Sequence, residues 1–197
     1  MLLRSRAIAA YLVFALALLA GAYVREGESA GVTQAIIWLP SGIAISGLWL
    51  FGLRAWWIVA AYTLLHRVSF GYGALLVTSA ALGSTAEAVF GVLLLRRLGL
   101  RPDFARLRDV LTLSVAAVLA PLASILVSWG SRSFLNSFGS MPFRSGWDGW
   151  WRMNALGVMS VVPLAACRKN KQRFARLRSG VGGPVAGSQK WPRRAGS

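Results

Sequence analysis

Six apolar runs separated by short arginine-bearing connectors constrain this chain more than any other feature. They cover residues 7–24, 32–53, 55–70, 72–95, 110–129 and 149–166. A helix of about 20 apolar residues spans the roughly 30 Å hydrocarbon core of a bilayer. A succession of such runs therefore predicts an all-α, polytopic transmembrane helix bundle of about six spans. Composition agrees. Charged residues make up 14% of the chain, against about a quarter in an ordinary soluble domain. The first run follows Arg4 and Arg6 and resembles a secretory leader. It extends over 18 residues, longer than the usual leader core, and reads as a retained first helix.

The third run is short and is interrupted by His66 and Arg67. The distribution of positive charge decides whether it crosses, because cytoplasmic loops are enriched in Lys and Arg. If it crosses, seventeen of the 22 basic residues lie on the side of both termini. Four lie on the other side: Arg25, Arg67, Arg132 and Arg144. If it turns back, the five-arginine connector 96–109 moves to the wrong side. Six crossings with both termini cytoplasmic is the expectation. Residues 1–167 then form the membrane domain. Residues 168–197, basic and rich in Gly, Ser and Pro, are expected to be a disordered cytoplasmic tail.

The net charge of +16 invites a nucleic-acid reading. The basic residues instead flank apolar runs or fill the tail, as contact with anionic lipid requires. No nucleic-acid partner is expected. Catalysis is not expected either. One His, one Cys and six acidic residues provide no metal spacing, acid/base pair or nucleophile motif. No enzyme activity, metal or cofactor is expected, and Cys167 has no partner for an internal disulfide.

Polar residues inside the apolar runs are the places to look for function. Glu87 lies about 12 Å deep, counting 1.5 Å per residue from the inner end of its run. Ser79, Gly83 and Gly91 share its face at four-residue steps, so a neighbouring helix can approach closely. Two readings of Glu87 stand. It is a buried carboxyl, protonated or paired with arginine, that locks the bundle, or it senses a ligand or proton. In 32–53, Pro40 is expected to kink or interrupt the helix. In the last run Asp148 and Arg152 are four apart and can pair. With Asn154 and the broken backbone at Pro40 they outline an outward-facing polar pocket. The plainer account is an aromatic belt with a local ion pair. His66 reads as a boundary residue.

Several segments together resemble a known family. Trp38-Leu39-Pro40-Ser41-Gly42-Ile43-Ala44 is similar to the W-x-P-(S/A)-G-(I/L)-A signature of the bacterial membrane-associated sensor domains of the first type, the MASE family. Leu82-Gly83-Ser84-Thr85-Ala86-Glu87-Ala88 resembles that family's L-G-N-T-x-E-A helix. Leu107-Arg108-Asp109-Val110 resembles its L-R-D-V, and Trp150-Trp151 with Ala155-Leu156-Gly157-Val158 resembles its W-W-x-x-D-A-L-G-V. The resemblance covers about residues 10–166 in order. It implies a sensory input module of the kind that precedes histidine kinases and cyclic di-GMP enzymes, resident in a bacterial inner membrane. It would pass an unknown stimulus to a cytoplasmic signalling protein or act as a homo-oligomer, with membrane lipids around it. The family's aspartate in the last helix is Asn154 here. The family usually has about eight spans and an output domain, so a truncated or stand-alone form is expected. Other readings are a small transporter or channel, supported by Glu87 and Pro40, and a non-signalling remnant. The motifs and the polar positions give two groups of ligand or sensing candidates. The first is Trp38, Pro40, Ser41, Thr85 and Glu87. The second is Asp148, Trp151, Arg152 and Asn154.

Overall fold

The computed structural model describes residues 2–26, 37–134 and 143–181. Among them are six α-helices and no strand. They are α1 (Leu2–Glu26), α2 (Leu39–Phe51), α3 (Trp56–Ser69), α4 (Ala74–Arg97), α5 (Leu107–Phe134) and α6 (Phe143–Val181). Two of these, Ala74–Arg97 and Leu107–Ser128 within α5, are long and apolar enough to cross a membrane. By rise per residue α2 and α3 are each about 20 Å long. Large apolar side chains face outward along α1 and α5, among them Leu12, Leu16, Leu111 and Leu126.

The short helix α2 is central. It packs on α1, α4 and α6. Pro40 through Trp49 are buried apart from Ile43, so almost the whole circumference is covered. Its sequence explains this, because Ser41, Gly42, Ala44, Ser46 and Gly47 let neighbouring backbones come close. The closest approach is to α6. A Cβ at Gly42 would overlap the Gly157 carbonyl and lie 2.7 Å from Val161 Cβ, and one at Gly157 would overlap the Trp38 carbonyl. Glycine at both positions lets the Trp38 N–H donate across to the Met153 carbonyl at 2.9 Å.

The expected face of α4 is also used. Ser79, Gly83, Glu87 and Gly91 are all buried. Gly83 meets Ser124 and Ser128 of α5, and Gly91 meets Ile45 of α2 and Ala120 of α5. The Ser128 hydroxyl donates to the Ser79 carbonyl at 3.2 Å.

Two expectations are corrected. Of the kink or interruption expected at Pro40, no kink is present among the described residues. Pro40 stands in the first turn of α2, where its missing N–H has no intrahelical acceptor to lose. Residues 27–36 lie outside the described residues. Nor does helix end near 167, because α6 continues to Val181. The segment 168–178 is rich in Lys, Arg, Gln, Ala and Leu, strong helix formers that extend an already nucleated helix without an apolar stripe. Residues 182–197 lie outside the described residues.

The connector between α4 and α5 is fixed by Asp109, which is 2% exposed. Its Oδ2 accepts the Arg106 N–H at 3.2 Å and its Oδ1 the Arg101 N–H at 3.1 Å. Asp109 is the third residue of α5, so the first contact is the reciprocal arm of a capping box. Removing this carboxylate leaves two backbone donors without their acceptor. Asp109→Ala is expected to lower stability by about 2 kcal/mol, measured as the unfolding midpoint of the detergent-solubilised protein.

Candidate functional site

Glu87 is 3% exposed. Hydroxyls from two other helices, Ser41 of α2 and Ser124 of α5, lie within hydrogen-bonding reach of its carboxyl. Its Oε1 has no partner among the described residues. The second contact of Ser41 runs to α6, where its hydroxyl donates to Asn154 Oδ1. Asn154, 1% exposed, donates from Nδ2 to the Trp150 carbonyl at 2.6 Å. That bond fixes the orientation of the amide and so makes Ser41 the donor. A continuous polar link thus runs from α4 through α2 to α6 inside the bundle.

Beside this link lies a small cavity lined by residues of α2, α3 and α4, with Leu18 of α1, Trp38 just before α2 and Trp150 of α6. Its free interior is about 20 Å³, room for roughly one water-sized group. Glu87 and Ser41 line it together with Thr63. Aromatic rings surround it. The Trp38 and Trp150 rings are 6.3 Å apart, as are those of Trp38 and His66, and Tyr62 stands 5.6 Å from His66.

Of the sequence candidates, the structure brings Trp38, Pro40, Ser41, Glu87 and Asn154 together. Thr85 is half-buried and its hydroxyl donates to the Ala81 carbonyl one turn back at 2.7 Å. Asp148 and Arg152 do pair, at 2.9 Å, but their side chains are 47% and 63% exposed. They do not join Asn154 in one pocket. Two residues along a helix turn the direction by about 200°, so Arg152 and Asn154 face opposite ways. An exposed pair of this kind contributes little to stability.

Trp151 is more than part of an aromatic belt. Its Nε1–H donates to the Val118 carbonyl of α5 at 2.9 Å, close to Pro121, which lies inside that helix. His66 is not simply a boundary residue, because it lines the cavity and contacts three rings, the nearest being Phe70 at 5.1 Å. Tyr62 and Thr63 were missed outright. Their spacing from His66, at three and four residues, is the signal that places all three on one face.

No curated protein matches the chain, and no solved structure does. The profile of one family, MASE1, matches residues 4–176, which takes in nearly all of the six helices. The motifs around Trp38, Glu87 and Trp150 that carried the resemblance are the ones that meet at the α2–α4–α6 crossing. The chain belongs to the MASE1 family of membrane-associated sensory domains of signalling proteins.

Proposed function

We propose that this chain is an integral membrane sensory input module, crossing a bacterial inner membrane six times with both ends in the cytoplasm. It detects a stimulus at the Glu87 site and passes it to a cytoplasmic partner. The observation that carries this reading is the polar link from Glu87 through Ser41 to Asn154. A change at Glu87 alters the hydrogen bonding of α2 and, one bond further, of α6. Helix α6 then continues from Asn154 through Pro163 to Val181, about 40 Å at 1.5 Å per residue. A shift at its buried end therefore reaches a basic segment well beyond the apolar region. The bias between two packings is set by how differently each state binds the stimulus.

The test is a chimera in which this module is joined to a histidine kinase. Glu87→Gln keeps the shape and replaces the ionisable carboxyl with an amide. Kinase output, measured as phosphotransfer per membrane-inserted molecule, is expected to change at least fivefold. An unchanged output at normal expression would remove Glu87 from sensing.

A further inference from the structure

Two hydroxyls beside Glu87 in the cavity wall already have their protons engaged elsewhere. Ser41 commits its hydroxyl proton to Asn154 Oδ1. Thr63 commits its own to the Val59 carbonyl, at 2.9 Å. Both residues line the cavity and so offer it lone pairs alone. Glu87 adds a carboxyl whose Oε1 has no partner among the described residues. At these three groups an occupant must bring its own protons.

The walls point to the charge of that occupant. Trp38, Tyr62, His66 and Trp150 line the same space, and aromatic faces attract a cation within about 6 Å. One face is already used in this manner, since the Arg67 guanidinium lies 5.7 Å from the Trp150 ring and 5.3 Å from the Tyr72 ring. Arg67 itself also lines the cavity. A free interior of about 20 Å³ excludes a bulky solute. Beside Glu87, Ser41 and Thr63 an anion meets the carboxyl and the lone pairs of hydroxyls whose protons are committed.

We propose that this cavity binds a compact ammonium ion, either NH₄⁺ or the head group of a short primary alkylamine. Glu87 supplies the countercharge, Ser41 and Thr63 accept N–H bonds, and Trp38 and Trp150 cover the remaining faces. The proposal rests on the sensing reading of the site for its consequence, whereas binding is measurable without any output domain.

The full chain, purified in detergent, is titrated with ammonium chloride, methylammonium chloride, tetramethylammonium chloride and sodium chloride at constant ionic strength. Intrinsic tryptophan fluorescence is the readout, with the shift in unfolding temperature as a second measure. Ammonium and methylammonium are expected to give a saturable change, at concentrations at least tenfold below any effect of sodium or tetramethylammonium. Glu87→Gln is expected to weaken binding at least tenfold. Thr63→Val keeps the size of the side chain and is expected to weaken binding three- to tenfold. A response without saturation, or one equal in sodium, overturns the proposal. So does unchanged affinity in a folded Glu87→Gln or Thr63→Val protein. Ammonium binding combined with Glu87-independent output in the chimera would leave the ligand standing and remove the sensing reading. Glu87-dependent output without ammonium binding would do the reverse.

Discussion

Gly42→Leu is expected to cost about 3–5 kcal/mol and to leave little folded protein after detergent extraction. The obstacle at Gly42 is the backbone carbonyl of Gly157 together with Val161 Cβ. Neither can rotate away, so α2 and α6 must separate. Separation also breaks the Trp38–Met153 backbone hydrogen bond and the Ser41–Asn154 bond. The loss is therefore larger than that of ordinary overpacking, about 1–3 kcal/mol. Gly83→Ala is the informative control. There the nearest atom is the Ser128 hydroxyl, which can turn aside at the loss of its bond to the Ser79 carbonyl. The expected cost is about 1 kcal/mol. Unfolding midpoints and monodisperse yield would separate the two. Equal, small losses would show that α2 and α6 do not approach as described.

Asn154→Leu is the second large effect, expected at about 2–4 kcal/mol. Leucine fills a similar space but removes the acceptor of the Ser41 hydroxyl and the donor to the Trp150 carbonyl. Both partners are then left without these bonds in an apolar interior, where water cannot replace them. Asn154→Asp introduces the aspartate that the family resemblance implies for this position. It keeps an acceptor for Ser41 and loses the bond to Trp150, so a smaller cost, about 1–2 kcal/mol, is expected. Combining Asn154→Leu with Ser41→Ala should be less damaging than the sum of the two, because the second change removes the stranded donor. Strict additivity in that cycle would mean that the two side chains are not bonded.

The Asp148–Arg152 pair shows where reading along the chain fails. Spacing of four correctly placed the two side chains on one helix face, and they pair. Spacing did not say which face points inward, because α6 carries polar residues on both. The inner face was chosen by contact with α2, which needs Gly157 and Asn154 and turns Arg152 outward. His66, Tyr62 and Thr63 make the same point from the other side. Their shared face was computable from the sequence, but its importance came from Glu87 and Trp38, which lie 21 and 28 residues away from His66 in the chain.

Residues 32–53 illustrate a second limit. The apolar run was plain, and the small residues within it marked a helix that others could approach. The helix nevertheless begins at Leu39, because proline fits a first turn as readily as it breaks a longer helix. Beyond residue 167 the error ran the other way. Absence of an apolar stripe was taken as absence of helix, although composition alone favours helix there once α6 has been nucleated by its buried half.

The apolar runs and the arginines between them determined by themselves a membrane-associated chain, all-α with six α-helices in order among the described residues, and Glu87 as the residue whose burial demands an explanation. These are local properties, set by hydrophobicity and by helical period. The tertiary structure alone decided what Glu87 meets. Helices without a continuous polar face can be rotated and paired in many ways at similar cost in an apolar surrounding. The choice among them was made by where Gly42 and Gly157 let two backbones touch, and by the hydroxyl and amide that this contact brought together.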